Sequence, residues 1–211
     1  ADTSRNILPQ LLAVPQEKLV DNHHFVICSP ARVNLLGEHV DYNEGVVLPA
    51  AIDRYVTMQV DVLEEPVVRL RAEDLGSEVN FSLENLADKK DLNGQRLPGF
   101  ALYPAGVAWV LQQTGLPLRG LAVRYSSDIP IGAGLSSSAA VEVGFALAWQ
   151  IAGGWEIPKL EMAKLCQKAE NDYVGVKSGF MDQFACALGV AGHALALDTR
   201  SLAWYTLPLP R

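Results

Sequence analysis

The sequence predicts an α+β fold. Segments with strand patterns occupy much of the chain between residues 25 and 82, and helical periodicity follows over residues 97–113 and again from residue 135. Strands and helices do not alternate strictly along the chain, which favours an α+β arrangement over a doubly wound sheet. Hydrophobic residues make up 49% and charged residues 19% of the 211 residues, a composition typical of a well-packed globular chain.

Apolar or weakly alternating segments that are bounded by turns predict the strands. Tyr55 to Leu63 alternates, and the Leu75-Gly76 turn separates the two strands that follow it. A turn at residues 198–201 joins the last two strands into a hairpin. The predicted strands cover residues 25–28, 55–63, 67–71, 78–82, 121–125, 194–197 and 202–206.

Apolar residues at helical spacing predict the helices, and glycine or proline marks their ends. Gly115 ends one helix, Gly153-Gly154 stops a very apolar one, and Pro158 opens another at a first-turn position. The predicted helices cover residues 5–20, 97–113, 135–152 and 158–172.

The net charge of −7 argues against a nucleic-acid partner, because an acidic surface repels phosphate backbones. The most apolar stretch, residues 139–151, contains Glu142 and is too short to span a bilayer, so no membrane association is expected. The N-terminus lacks a basic segment followed by an apolar run, so no secretory signal is expected.

The cysteine and histidine residues predict neither disulfides nor a metal site. Cys28, Cys166 and Cys186 are odd in number and have no paired or metal-type spacing. We interpret them as reduced thiols of a cytoplasmic protein. The His23-His24 pair is expected in a solvated loop.

The clearest local motif is the glycine- and serine-rich segment of residues 130–140, PIGAGLSSSAA. Glycines let several backbone amides point at one place, and a helix N-terminus follows, so the segment predicts a phosphate site. Ser136, Ser137 and Ser138 add hydroxyls for phosphate or Mg²⁺, or else they are only helix caps. The segment is neither a Walker A loop nor a dinucleotide fingerprint.

Two further segments combine carboxylates with apolar flanks. Residues 32–43 bring Glu38, His39 and Asp41 within four positions, which suits sugar hydroxyls but is also compatible with a solvated turn or a weak metal site. In residues 170–184, Asp182 lies between Met181 and Phe184, where a carboxylate is either a helix cap or a functional group.

Together these segments resemble the GHMP small-molecule kinases, and within them the galactokinases. RVNLLGEHVDYNEG resembles the galactokinase signature, here within residues 30–45, and residues 129–140 resemble the superfamily's ATP phosphate loop. Residues 179–183, GFMDQ, resemble a third family segment. The resemblance implies the ribosomal-protein-S5-domain-2-like N-terminal lobe of a GHMP kinase, with a mixed β-sheet packed against helices, over residues 1–211.

The resemblance also implies ligands and roles: ATP, Mg²⁺ and galactose, with transfer of the ATP γ-phosphoryl group to the C1 hydroxyl of the sugar. Asp182 matches the catalytic carboxylate and Arg32 the arginine paired with it, while Ser138 and Glu170 match the Mg²⁺ ligands. The implied sugar contacts are Glu38, His39, Asp41 and Gly179. The implied ATP contacts are Gly132, Gly134, Leu135, Ser136, Ser137, Ser138, Ala139 and, as the adenine contact, Phe100.

This sequence departs from the family pattern in ways that leave alternatives open. Ala31, Ser178 and Phe180 replace the family's usual Gly, Cys and Ile, next to functional positions. The family's chain is nearly twice as long, and the glycine-rich segment of its C-terminal lobe is absent here. We therefore expect an incomplete site and self-association through the face that this lobe would cover. An isolated lobe that folds and binds weakly but is inactive is one alternative. A non-catalytic galactose- and ATP-binding regulator or an N-acetylgalactosamine kinase are the rivals, and the Ser138-Ala139 pair favours an enzyme over a regulator.

Overall fold

In the computed structural model, which describes residues 23–130 and 132–210, two β-sheets pack with four α-helices. The larger sheet has the strand order β1-β3-β6-β4-β5, and the smaller has the order β2-β7-β8. The strands are β1 His24–Asn34, β2 Val46–Val47, β3 Pro49–Leu63, β4 Val67–Ala72, β5 Ser77–Ser82, β6 Gly120–Ser127, β7 His193–Asp198 and β8 Trp204–Pro208.

The larger sheet is mixed, as the resemblance implied. Strand β4 pairs with β6 in parallel, whereas the pairs β1–β3, β3–β6 and β4–β5 are antiparallel. Among the predicted strands, the hairpin of β7 and β8 is confirmed. Strand β1 is longer than the predicted 25–28, because Pro30 is tolerated on an edge strand. The pairing of β1 with β3 shifts between Pro30 and Arg32, which reorients the end of the strand.

The helices are α1 Gly99–Gln113, α2 Ser137–Gly153, α3 Lys159–Lys168 and α4 Met181–Leu188. The prediction for α1 is confirmed. The predicted start of α2 at residue 135 is wrong, because Ser136 has the left-handed φ of 59°. The predicted helix over residues 158–172 ends as an α-helix at Lys168 and continues as a π-helical turn, Ala169–Val174. Helix α4 was not predicted, and the predicted helix over residues 5–20 lies outside the described residues.

Helix α2 lies in the middle of the core. Its residues from Ala139 to Trp149 are all buried, which explains why its sequence is apolar on every side. It contacts β1, β3 and each of the other three helices. This helix therefore fixes the position of the glycine- and serine-rich loop at its N-terminus relative to β1 and α4. Within residues 23–130 and 132–210, no helix is long and apolar enough to cross a membrane.

Candidate active site

An arginine and an aspartate that are 150 positions apart form an ion pair at the centre of the site. Arg32 Nε and Nη2 donate to Asp182 Oδ1 at 2.8 and 2.6 Å. Arg32 follows the register shift in β1, and Asp182 lies in the first turn of α4. The cap position of α4 belongs to Phe180, so Asp182 is not a helix cap. The side chain of Arg32 is 11% exposed and that of Asp182 25%, so the pair is shielded but reachable from solvent.

The glycine- and serine-rich loop is bonded to this pair. Arg32 Nη1 donates to the carbonyl oxygen of Gly134 at 2.7 Å, and the Arg32 amide donates to the carbonyl oxygen of Leu135 at 3.2 Å. Gly132 and Gly134 have φ values of 74° and 69°, which a side chain would disfavour. The loop, Arg32 and Asp182 line a cavity of about 280 Å³.

Ser136 does not act as a side-chain cap of α2, although it occupies the cap position. Its hydroxyl instead donates to Asp182 Oδ2 at 2.5 Å. The interpretation of all three serines as caps is therefore wrong for Ser136. Ser137 and Ser138, the first residues of α2, line the cavity beside the loop.

A second, mostly apolar cavity of about 270 Å³ adjoins the first and shares Ser137 and Ser138 with it. Phe100 lines it, as the adenine interpretation requires, together with Tyr103 and Tyr125. Neither tyrosine was predicted from the sequence as part of a site. Burial raises the pKa of the Tyr125 hydroxyl to about 12, so that side chain stays neutral at physiological pH.

The four sugar-binding residues implied by the resemblance are only partly brought together. Asp41 and Gly179 line one cavity of about 340 Å³, which Glu38 and His39 do not line. Glu38 accepts a hydrogen bond from Asn34 Nδ2 at 3.1 Å. His39 has a φ of 58°, and its Nδ1 lies 2.8 Å from the hydroxyl of Tyr42.

Gly179 makes room for the Asp41 carboxylate. A Cβ atom at residue 179 would lie 1.9 Å from Asp41 Oδ2 and 2.3 Å from Cγ. Only a glycine therefore leaves room for the Asp41 carboxylate where it lies, and Gly179 also borders the cavity.

A buried polar cluster behind the site was not predicted as a unit. Gln183 Nε2 donates to Glu142 Oε2 and to Glu170 Oε2, both at 2.9 Å, and the Ser178 hydroxyl also donates to Glu170 Oε2. Burial, and then the neighbouring carboxylate of Glu170, raise the pKa of Glu142 well above its usual value of 4.5. In the sequence, Glu142 served only as an argument against a membrane helix. A lone carboxylate in an otherwise apolar helix is also the pattern that could have indicated this buried cluster.

The residues proposed for Mg²⁺ suit that ion. Both hydrogen bonds to Glu170 use Oε2, which leaves Oε1 as a hard oxygen without a donor, and the hydroxyl of Ser138 is a second hard oxygen. Glu170 is buried and lines neither of the cavities that Ser138 lines. Within the described part of the chain, no group of three or more His, Cys, Asp and Glu side chains could hold a metal ion. Mg²⁺ needs only a few protein ligands when phosphates and waters complete its coordination shell.

Family models match two parts of the chain. The GHMP kinases N terminal domain matches residues 103–190, which include the loop, α2 and Asp182. The galactokinase galactose-binding signature matches residues 17–62, which include Arg32, Glu38 and Asp41. Fold, loop and paired side chains agree with these matches, which identify a GHMP kinase N-terminal domain in this chain.

Curated proteins that are similar to this chain include galactokinases. The galactokinase of Streptomyces coelicolor is 42% identical over 184 residues, which is 87% of this chain and 46% of the relative. The galactokinase of Thermococcus kodakarensis is also 42% identical, over 87% of this chain and 50% of the relative. The chain spans about half the length of the curated relatives it matches.

Solved structures agree in fold. The crystal structure of Lactococcus lactis galactokinase complexed with galactose matches with a TM-score of 0.80 and 33% identity, over 89% of this chain and 47% of the other. Methanococcus jannaschii mevalonate kinase matches with a TM-score of 0.69 and 22% identity, over 87% and 56% of the two chains. The second match shows the fold alone.

Proposed function

We propose that this chain forms the sugar- and phosphate-binding part of a galactokinase, which transfers the γ-phosphoryl group of ATP to the C1 hydroxyl of galactose. The proposal rests on one observation: a carboxylate and a guanidinium, Asp182 and Arg32, lie against a glycine- and serine-rich loop at a helix N-terminus. Phosphoryl transfer requires mainly positioning and charge neutralisation, and these groups supply both.

Each proposed role follows from the chemistry of the group. Asp182 accepts or orients the proton of the sugar hydroxyl, and Arg32 offsets negative charge on the transferring phosphoryl group. Glu38, His39 and Asp41 accept or donate hydrogen bonds to the sugar hydroxyls. Gly179 leaves the space that the Asp41 carboxylate occupies.

The nucleotide would bind across the two adjoining cavities. The amides and hydroxyls of residues 132–139 surround the phosphates at the N-terminus of α2. Phe100 and Tyr103, in the apolar cavity, pack against adenine. Ser138 and Glu170 would hold Mg²⁺, which, when bound, neutralises charge on the phosphates.

A coupled assay of Mg·ATP consumption tests the proposal. We expect galactose to support turnover at least about tenfold better than glucose or N-acetylgalactosamine, because a site that hydrogen-bonds specific hydroxyls rejects sugars that present them differently. Similar relatives are galactokinases, which favours transfer over the regulatory alternative. Binding of galactose and nucleotide without turnover would contradict transfer by this chain alone. The same result in a chain extended by the C-terminal lobe of its relatives would support a binding role instead. Preference for N-acetylgalactosamine would contradict the assignment of the sugar.

Replacing Gly179 by Ala is expected to weaken galactose binding by at least about tenfold, because a new Cβ displaces the Asp41 carboxylate from its place and costs one good hydrogen bond or more. Isothermal titration with galactose, and separately with Mg·AMP-PNP, measures the effect, and nucleotide affinity should stay unchanged. Gly99→Ala is the matched control, since a Cβ there meets nothing within 4 Å. Unchanged galactose affinity in Gly179→Ala would show that Asp41 does not hold the sugar.

The exposed strand β8 supports self-association as a further proposal. All five of its residues are exposed, including Trp204 and Tyr205, and β8 is the outer strand of its sheet. Unpaired strand edges with apolar side chains favour pairing with another chain. Sedimentation velocity over a range of concentrations tests this, and a monomer throughout would contradict it.

The free thiols of Cys28, Cys166 and Cys186 support a reducing, cytoplasmic location.

A further inference from the structure

The hydroxyl of Ser136 holds one oxygen of the proposed catalytic carboxylate. Arg32 makes both of its hydrogen bonds to Asp182 Oδ1, whereas Ser136 Oγ donates to Oδ2 at 2.5 Å. Oδ2 is therefore the oxygen of Asp182 that Arg32 leaves for other donors. A sugar hydroxyl that approaches Asp182 has to share Oδ2 with Ser136 or replace it.

The backbone at Ser136 is held in a conformation that a serine avoids. Its φ of 59° and ψ of 50° are left-handed, which costs about 1–2 kcal/mol in a residue with a Cβ atom. Such conformations persist where the surroundings impose them, and they concentrate at functional sites. Here the carbonyl oxygens of Gly134 and Leu135 both accept hydrogen bonds from Arg32, so the loop is fixed to the ion pair directly before Ser136.

A serine hydroxyl has one proton and donates it to one acceptor at a time. Ser136 lines the same cavity as the loop amides, so a phosphate oxygen in that cavity competes with Asp182 for this proton. Rotation about the Cα–Cβ bond to another staggered position is sufficient to turn the hydroxyl from one acceptor to the other. The competition links whatever binds in the phosphate loop to the availability of Asp182 Oδ2.

We propose that Ser136 is a positioning residue that couples nucleotide binding to sugar binding. Its hydroxyl donates to Asp182 Oδ2 until a nucleotide phosphate takes that hydrogen bond, and Oδ2 then accepts the hydrogen bond of the sugar hydroxyl. This inference rests on the proposed function, because it takes ATP and galactose as the two ligands. It assigns to Ser136 a role that differs from a phosphate contact alone.

The coupling is measurable as a ratio of affinities. We expect saturating Mg·AMP-PNP to tighten galactose binding to the unmodified chain by about tenfold, within the usual range of allosteric coupling. In Ser136→Ala the competing donor is absent, so galactose binds equally well with and without nucleotide and the ratio falls to about one. A merely structural role would weaken both affinities and leave the ratio unchanged.

Isothermal titration of galactose with and without Mg·AMP-PNP compares the unmodified chain with Ser136→Ala, Ser136→Gly and Ser82→Ala. Glycine removes the hydroxyl but accepts the left-handed backbone, so both Ser136 variants should lose the coupling. Loss of the coupling in Ser136→Ala but not in Ser136→Gly would attribute the effect to the backbone and overturn the proposal. Ser82, at the end of β5, is the matched serine control and should keep the ratio. A ratio that persists without the hydroxyl also overturns the proposal.

A second measurement does not depend on galactose. In a double-mutant cycle of Ser136→Ala and Asp182→Ala, we expect non-additive shifts in the urea midpoint for the ligand-free chain and additive shifts at saturating Mg·AMP-PNP. Additive shifts in the ligand-free chain overturn the proposal. If Mg·AMP-PNP does not raise the urea midpoint of any variant, the proposed function fails and the coupling fails with it. If the nucleotide raises the midpoint but the shifts stay equally non-additive, the coupling alone is overturned.

Discussion

Replacing Asp182 by Asn is expected to lower kcat for galactose phosphorylation by about 10²–10⁴-fold, the usual contribution of a general base. The amide has the size of the carboxylate, and its oxygen can still accept the hydrogen bonds of Arg32 at the Oδ1 position. It cannot accept the proton of the sugar hydroxyl. Loss should therefore appear mainly in kcat, with a smaller weakening of galactose binding because the amide nitrogen at the Oδ2 position cannot accept a hydrogen bond. A coupled Mg·ATP assay with galactose, together with titration of both ligands, separates the two effects.

Asp53→Asn makes the same change of charge on the exposed surface of β3, where the side chain of Asp53 is 91% exposed, and should leave turnover unaltered. A loss in both variants would point to a general effect of charge on the chain. If Asp182→Asn keeps more than about a tenth of the turnover, proton acceptance contributes little to the rate and Asp182 acts mainly by orienting the hydroxyl.

Local patterns predicted most of the elements, because a strand or helix with one buried face repeats its apolar residues in a fixed period. The hairpin of β7 and β8 and helix α1 followed from such patterns. The continuation of β1 through Pro30 did not, because it depends on the position of β1 at the edge of the larger sheet. Helix α4 was not predicted, because its first turn, with Asp182, indicated only a cap or a functional carboxylate.

The candidate site shows the same division between local and long-range information. The loop at residues 130–140 was recognisable from glycines and serines alone, whereas the partnership of Arg32 with Asp182 came only from the family resemblance, because 150 positions separate them. The hydrogen bond from Ser136 to Asp182 had no local indication, since a serine before an apolar helix usually caps it. The partner of Glu142 likewise depends on how α2 and α4 pack.

Replacing Glu142 by Gln is expected to stabilise the chain increasingly as the pH rises. Glu142 is fully buried, and burial together with the Glu170 carboxylate raises its pKa well above 4.5. In the unfolded chain the carboxyl group regains its ordinary pKa, so folding binds a proton at any pH between these two values. The stability that Glu142 contributes is thus complete below about pH 4.5 and is lost as the pH rises towards the folded pKa, by up to about 1.4 kcal/mol per pH unit.

Urea unfolding of both chains at pH 5, 6, 7 and 8 measures this difference. The free energy of unfolding of Glu142→Gln should fall less with pH than that of the unmodified chain, and the gap should widen at each step. Glu142→Ala is the matched control, because it also removes the titrating group but leaves a cavity and an unpaired Gln183. It should share the flatter pH dependence and be less stable than Glu142→Gln by about 2–3 kcal/mol at every pH.

The hydrogen bonds around Glu142 explain why an amide suits this position. Gln183 Nε2 already donates to Glu142 Oε2, while Glu142 Oε1 and Gln183 Oε1 are both buried without a hydrogen-bond partner among the described residues. A proton on Glu142 Oε1, or an NH₂ group in its place, turns this position into a donor, and Gln183 Oε1 is a buried acceptor without a partner among the described residues. The opposite outcome is that Glu142→Gln is less stable than the unmodified chain at every pH and that both free energies of unfolding change with pH in parallel. The carboxyl group of Glu142 would then be ionised in the folded chain, and Gln183 Nε2 would donate to two ionised carboxylates rather than one.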